Sequence, residues 1–167
     1  MNEMNVGGAS GGASGTAPVA PADLLPRGGT RAEDVHFAFW TTDRIRFCDT
    51  DQAGHVNNVA YAAYAETGRI GLMDRFIRPA IPAGLRSIAA SITVNYLRET
   101  HYPGEVRIGT GVARIGRTSL TVGQGIFKDD ICVASALGTV VLLDGSTPTP
   151  LPDALRAVAE SLLIRHT

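Results

Sequence analysis

The stretch from Val59 to Phe76 constrains the fold of this 167-residue chain more than any other. It contains no proline and, apart from Gly68 and Gly71, consists mainly of residues with good helix propensity. Asn57 and Asn58 just before it are favoured N-cap residues, which predicts that a helix begins there. Apolar side chains occur almost all round this helix, and such a helix is normally buried on most sides. The rest of the chain is therefore expected to wrap around it.

Length and composition narrow the class of protein. A chain of 167 residues with a net charge of -1 is expected to form one domain with its own core. Its arginines are scattered, so no electrostatic footprint for nucleic acid is present. The two cysteines have no metal-ligand spacing and indicate a reducing compartment. The longest apolar run, Val133 to Leu143, is too short to span a bilayer, and no secretory signal is recognisable. The prediction is a cytoplasmic protein that binds neither nucleic acid nor membrane.

The composition divides the chain into three parts. Residues 1–35 are rich in Gly, Ala, Ser and Pro and are expected to form a disordered tail, because few large apolar groups offset the entropy of ordering. Within them, residues 8–12 formally match the nucleophile elbow of serine hydrolases, a match that we interpret as chance because it lacks a flanking strand and helix. Residues 36–145 are expected to form the domain. Residues 146–167 are expected to form a proline-rich linker and an amphipathic C-terminal helix that contributes packing or an oligomer contact.

Strand patterns flank the predicted helix. His36 to Phe47 alternates before it, and Arg78 to Gly84 after it predicts a loop because of its prolines and glycine. Four more alternating segments follow, separated by turn residues: 88–96, 106–112, 120–126 and 131–143. The last of these is apolar on both faces and is expected to be central, and consecutive strands joined by short turns are expected to pair antiparallel. The order predicts an α+β domain in which an antiparallel sheet of about five strands curls around the long helix.

Most of the polar side chains suited to chemistry lie in one short span, residues 49–69, around the start of that helix. Residues 51–69 read Asp-Gln-Ala-Gly-His-Val-Asn-Asn-Val-Ala-Tyr-Ala-Ala-Tyr-Ala-Glu-Thr-Gly-Arg. This segment resembles the acyl-CoA thioesterases of the hot-dog fold, in the 4-hydroxybenzoyl-CoA thioesterase-like superfamily, which carry Asp-x-x-Gly-His-Val-Asn-Asn followed by Tyr-x-x-Tyr and a Glu. The resemblance covers about residues 38–145. It implies a long helix wrapped by an antiparallel sheet, a homodimer joined through that sheet, often a homotetramer, and an active site at the dimer interface.

The resemblance also implies roles for particular residues. Asp51 matches the catalytic carboxylate of the family. His55 and Asn58 match positions that line the same pocket, and Glu66 matches an acidic helix residue that some branches place in the site. The plant acyl-carrier-protein thioesterases carry Asn where this chain has Ala53, which weighs against an acyl-carrier-protein substrate. The implied substrate is therefore an acyl-CoA.

Thioester hydrolysis needs a group that delivers a nucleophile and a donor that holds the oxyanion. Asp51 can activate water as a general base or attack directly, and the general-base route is favoured for an acyl-CoA substrate. The unpaired amides at the helix N-terminus, at Asn58 or its neighbour, can hold the developing negative charge. His55 would orient Asp51 or the water. Neither a cofactor nor a metal is predicted.

Two further groups of residues are candidates for ligand binding or chemistry. Arg117, Thr118 and Ser119 lie at a hairpin, where an Arg and two hydroxyls suit the phosphates and pantetheine of CoA. A plain polar hairpin is an equally open interpretation. Cys48, beside the turn, is interpreted as an inert small hydrophobe rather than a thiol nucleophile, since a strand cysteine without an electropositive setting is usually unreactive.

Plainer interpretations of the remaining residues stay open. Asp51 and Gly54 also suit an ordinary turn, and Asn57 suits a helix cap. Glu66 can form a structural ion pair with Arg69, three residues further along the helix. The competing functions are a non-catalytic acyl-CoA-binding module, a thioesterase for acyl-carrier-protein substrates and a hot-dog dehydratase.

Overall fold

The long predicted helix is present in a computed structural model that describes residues 20–166. Helix α1 spans Asn58–Leu72 and continues as a π turn at Met73–Ile77 and a 3-10 turn at Arg78–Ala80. The Asn57 side chain caps α1 by accepting a hydrogen bond from the Val59 amide at 2.9 Å. The predicted start of the helix is confirmed. Residues 8–12, with their hydrolase-like pattern, lie outside the described residues.

An antiparallel sheet curls around α1. The strands are β1 Val35–His36, β2 Phe39–Ile45, β3 Leu85–Tyr96, β4 Gly104–Ile115, β5 Ser119–Lys128, β6 Ile131–Asp144, β7 Thr147–Pro148 and β8 Arg165–His166. The main sheet has the order β2-β4-β5-β6-β3, with β7 beside β6, and β1 pairs separately with β8. The α+β architecture expected from the sequence, a sheet around a long helix, is confirmed.

One expected strand pairing is wrong. β3 and β4 follow each other in the chain, yet β3 pairs with β6 while β4 pairs with β2 and β5. The physical reason is coverage of the helix: β2 and β3 flank α1 in the sequence, and a sheet that encloses α1 needs one of them at each edge. The predicted central segment, 131–143, forms β6, which is an interior strand, but the middle position belongs to β5.

One face of α1 lies directly on the sheet. Its buried residues are Ala60, Tyr61, Tyr64, Ala65, Gly68 and Leu72. A Cβ atom at Gly68 would lie only 2.5 Å from Ile108 Cγ2 and 2.7 Å from Thr110 Oγ1, so glycine permits the close approach of helix and sheet. The opposite face is open: Val59 is 77% exposed. Burial on most sides, which the sequence predicts, is therefore incomplete in a single chain.

The chain segments outside the central domain pack against it. Residues 20–35 fall within the predicted tail, but Leu25, Ala32 and Val35 are buried, the latter two with Phe37 and Phe127. The outer face of the sheet is apolar here, which gives these few side chains a surface to cover. Helix α2 spans Asp153–Ser161, and its buried side chains include Leu155 and Ala159, as its amphipathic pattern predicts. Within residues 20–166, no helix is long and apolar enough to cross a membrane.

Candidate active site

The loop between β2 and α1 carries Asp51 to the start of the helix. The Asp51 amide donates to the His55 carbonyl at 2.9 Å, and the Gly54 amide donates to the Asp51 carbonyl at 3.0 Å. Gly54 has a φ of 80°, in the left-handed region that favours glycine. The Asn57 amide donates to the Asp49 carbonyl at 2.8 Å, which ties the two ends of the loop together. The sequence pattern around Asp51 thus forms a tight turn directly before the helix.

The two carboxylate oxygens of Asp51 have different surroundings. Oδ1 accepts hydrogen bonds from the amides of Ala53 at 2.8 Å and His55 at 3.2 Å, as in an ordinary Asx turn. Within the described part of the chain, no hydrogen bond or ion pair engages Oδ2. A role for Asp51 in an ordinary turn is therefore compatible with a role as a base. One carboxylate oxygen holds the turn, and the other is available for proton transfer.

The first turn of α1 includes a backbone donor, the amide of Asn58, without a partner among the residues that the structure describes. The Val59 amide is used by the Asn57 side chain, and the Ala60 amide donates to the Asn57 carbonyl at 2.9 Å. Among residues 20–166, the Asn58 amide has no acceptor. The sequence suggests that the oxyanion donor is the amide of Asn58 or of its neighbour. Of these, the Asn58 amide is the one left unpaired, because the Asn57 cap binds the Val59 amide.

Asp51, His55 and Asn58 meet in one open cleft of about 320 Å³. The other lining residues are Val56, Tyr61, Tyr96, Leu97, Arg98 and Glu99. The Tyr61 ring packs edge to face on Tyr96 at 5.6 Å, and burial raises the pKa of the Tyr61 phenol. Two aromatic rings therefore form an apolar wall in the cleft that Asp51 and Asn58 also line. Cys48 is exposed and does not line it.

The backbone and the side chain of His55 contact different groups. Its backbone amide binds Asp51, while its imidazole Nε2 lies 3.6 Å from Oε2 of Glu99 and its ring lies 4.9 Å from the ring of His101. Sequence reasoning missed Glu99 and His101, because they lie in the segment after β3 and only the tertiary structure brings them to His55. No motif in the sequence marks either of them.

Glu66 lies apart from this cleft. Its carboxylate is 3.2 Å from the guanidinium of Arg69, so the ion pair left open by the sequence is present. The two residues line a neighbouring groove with Val59, Ala63 and Ile92. The structure therefore groups Asp51, His55 and Asn58 in one cleft and leaves Glu66 outside it.

The Arg117, Thr118 and Ser119 hairpin lies near the other end of the helix. Its backbone is held by two hydrogen bonds, from the Leu142 amide to the Thr118 carbonyl and from the Leu151 amide to the Arg117 carbonyl, both at 2.9 Å. Leu142 and Leu151 belong to the core around the C-terminal turn of α1, whereas Asp51 precedes its N-terminus. Within one chain, the hairpin and the Asp51 cleft do not meet.

Buried tyrosine Tyr64 anchors the loop that precedes Asp51. Its hydroxyl donates to Oδ2 of Asp49 at 2.8 Å, and the same oxygen accepts from the Arg46 amide at 2.8 Å. Burial, followed by the Asp49 carboxylate, raises the pKa of Tyr64, so the phenol keeps its proton. Thr67 on the next turn donates to Oδ2 of Asp43 at 3.0 Å. The Tyr64 side chain therefore ties α1 to the loop before Asp51.

The Tyr64→Phe variant is expected to unfold more easily by about 1.5–3 kcal/mol, because it removes a buried hydrogen bond to a charged acceptor. Urea unfolding measures the difference. Tyr102→Phe is the matched control, since Tyr102 is 49% exposed, and its effect is expected to stay within about 0.5 kcal/mol. Equal stability of the two variants would show that Tyr64 does not hold Asp49.

The sheet order, the enclosed helix and the tight turn before it define a class of protein. The chain belongs to the thioesterase-like superfamily, which it matches over residues 45–158. The predicted superfamily and its hot-dog fold are thereby confirmed. Membership supports thioester hydrolysis as the general activity.

The chain is also similar to individual proteins, two of which are described as thioesterases. The chain is 31% identical over 86 residues to the uncharacterized protein YsmA of Bacillus subtilis (strain 168), a match that covers 52% of this chain and 58% of YsmA. It is 31% identical, with a TM-score of 0.66, to a thioesterase from Thermus thermophilus complexed with coenzyme A and Zn, covering 75% of this chain and 95% of that one. A predicted thioesterase from Bacillus stearothermophilus is 28% identical, with a TM-score of 0.67, covering 75% and 96%.

Proposed function

We propose that this protein hydrolyses acyl-CoA thioesters to the free acid and CoA in the cytoplasm. The observation that carries the proposal is that one cleft is lined both by Asp51, whose Oδ2 is unengaged, and by Asn58, whose backbone amide is unpaired among the described residues. A carboxylate base and an oxyanion donor are the two groups that the reaction requires. The superfamily supplies the reaction class, and the Thermus thermophilus thioesterase complexed with coenzyme A supports CoA as the thiol component.

In the proposed mechanism, Asp51 acts as a general base. Its Oδ2 accepts a proton from water while the water oxygen bonds to the thioester carbon, and the Asn58 amide holds the resulting oxyanion. Collapse of this intermediate breaks the carbon–sulfur bond, and the CoA sulfur leaves with the electron pair. The proton held by Asp51 then passes to the thiolate, which gives free CoA as the thiol and restores the Asp51 carboxylate. No cofactor takes part.

We propose that two copies form the complete site by pairing along β3. This edge strand is twelve residues long and largely exposed, and its Ile92 and Tyr96 are 47% and 50% exposed beside the open face of α1. A long apolar edge strand is normally covered, because its free backbone groups would otherwise recruit other chains. A homodimer with two-fold symmetry covers both edges at once, and two such dimers can form a homotetramer.

Antiparallel pairing of two β3 strands would also assemble the CoA site. The Tyr96 end of β3 lies beside the N-terminus of α1, where the Tyr96 hydroxyl donates to the Asn58 carbonyl at 3.3 Å. Leu85 at the other end packs in the core near the C-terminal turn of α1, on the side of the hairpin. Antiparallel pairing about a two-fold axis brings the Arg117, Thr118 and Ser119 hairpin of one copy to the same end as the Asp51 cleft of the other. We propose that this hairpin binds the phosphates and pantetheine.

The Ile92→Glu variant is expected to weaken self-association by about 10²-fold or more, because an unpaired carboxylate would be buried where two β3 edges meet. Sedimentation velocity over a concentration series measures the effect. Thr42→Glu on the opposite edge strand, β2, is the matched control and should associate like the wild type. If Ile92→Glu assembles normally, the β3 interface is wrong.

Thiol release from a panel of acyl-CoAs tests the activity. The chain is expected to release CoA from at least one aliphatic or aromatic acyl-CoA and to act more weakly on the corresponding acyl-carrier proteins. Binding of acyl-CoA without thiol release would instead indicate a non-catalytic binding module. Hydration of an enoyl-CoA without hydrolysis would indicate a dehydratase. Either of these results would overturn the proposed function.

A further inference from the structure

Three potential metal ligands meet at the rim of the Asp51 cleft. Single ligand atoms of His55, Glu99 and His101 all lie within 4.8 Å of one another. His55 comes from the loop before α1, and the other two come from the segment between β3 and β4. A β-bridge joins the backbones of His55 and His101. The two imidazole rings therefore lie next to each other because the backbone positions them, at a centroid distance of 4.9 Å.

The backbone orients the His101 ring in a way that suits metal binding. Nδ1 of His101 lies 3.2 Å from the Gly54 carbonyl oxygen. Because a carbonyl oxygen can only accept, Nδ1 carries the proton, and in the neutral ring the lone pair is on Nε2. A ring N–H donated to a backbone carbonyl is the arrangement that commonly fixes the tautomer of metal-bound histidines. The Gly54 carbonyl thus leaves Nε2 ready to coordinate an ion.

We propose that His55, Glu99 and His101 bind one divalent transition-metal ion, for which Zn²⁺ is the best match. Two imidazoles and one carboxylate are a ligand set that Zn²⁺ takes, with a fourth position left for water. Ligands at about 2.0–2.1 Å from a tetrahedral ion are roughly 3.4 Å apart. The 3.6 Å between Nε2 of His55 and Oε2 of Glu99 is already close to that spacing. The Glu99 side chain is 73% exposed, so its carboxylate can move the remaining few tenths of an ångström towards His55.

This site extends beyond the proposed hydrolysis and does not require it. His55 and Glu99 line the same cleft as Asp51, so an ion bound to them would lie beside the proposed hydrolytic site. Asp51 is not among the three ligands. Metal binding and thioester hydrolysis can therefore be lost separately, which makes failure of one distinguishable from failure of the other.

Calorimetric titration of the metal-free, full-length chain with Zn²⁺ tests the proposal. We expect one ion per chain, and we expect His101→Gln and Glu99→Gln each to weaken binding by at least about tenfold, since even indirect partners of a metal site contribute that much. His36→Gln is the matched control, because His36 is exposed and lies in a different pocket. Titration with Co²⁺ adds a visible absorption band that reports coordination directly and should be lost in the same two variants.

Two results would overturn this site. One is Zn²⁺ affinity in the wild type no higher than in His101→Gln, which would mean that the histidine rings only pack against each other. The other is loss of binding in His36→Gln equal to that in Glu99→Gln, which would place the ion elsewhere. Asp51→Asn is expected to keep the wild-type affinity within about threefold, and circular dichroism checks that every variant is folded.

Discussion

Replacing Asn58 with proline is expected to lower kcat for acyl-CoA hydrolysis by about 10²–10³-fold, the usual effect of losing one oxyanion donor. Proline removes the backbone N–H at the position where the structure leaves that group unpaired. It is well tolerated at the first position of a helix, and Asn57, with φ -64° and ψ 145°, already has the extended conformation that a residue before proline needs. The helix should therefore form as before, without the donor.

Asn58→Ala separates the amide from the side chain. This variant keeps the backbone donor and removes only the carboxamide, so its kcat should fall much less than that of Asn58→Pro. Thiol release at saturating acyl-CoA gives both values, and circular dichroism confirms that α1 is retained. Equal turnover in the proline and alanine variants would show that the Asn58 amide does not hold the oxyanion.

Asp51→Asn is expected to lower kcat by about 10²–10⁴-fold, the range typical of a lost general base. The asparagine carbonyl can still accept the hydrogen bonds that Ala53 and His55 donate to Oδ1, so the turn should survive. The amide nitrogen in the place of Oδ2 cannot take a proton from water. The variant therefore removes the chemistry and preserves the geometry.

Asp74→Asn is the matched control for this substitution. Asp74 is exposed in the π turn that extends α1 and pairs with Arg78, far along the helix from the Asp51 cleft. Its replacement should leave kcat unchanged, because a surface ion pair contributes little. A kcat of the Asp51→Asn variant close to that of the Asp74→Asn variant would show that Asp51 has no part in the mechanism.

Local patterns predicted the parts of the fold that depend on local interactions. The start of α1 follows from the Asn57 cap, and the turn around Asp51 follows from Gly54 and the short polar residues beside it. Strand segments were recognisable because alternation of apolar and polar residues is a property of each strand alone. The residues that meet in the cleft, Asp51, His55 and Asn58, were predictable since they are neighbours in the sequence.

Long-range contacts account for what the sequence did not reveal. The separation of β3 from β4 depends on how the sheet covers the helix, which no local pattern encodes. Glu99 and His101 reach His55 only after the chain has crossed the sheet. Residues 20–35 have a composition typical of a tail, and their ordering depends on the apolar outer face of the sheet. Each of these features depends on a surface formed by distant segments.

The central claim is that Asp51 and the Asn58 amide act on the same thioester. A crystal structure with a non-hydrolysable acyl-CoA analogue tests it most directly. The account predicts the acyl carbonyl oxygen at about 2.7–3.1 Å from the Asn58 nitrogen, with Oδ2 of Asp51 facing the carbonyl carbon across one water. An analogue bound with its carbonyl beside Glu66, or outside the cleft altogether, would contradict it.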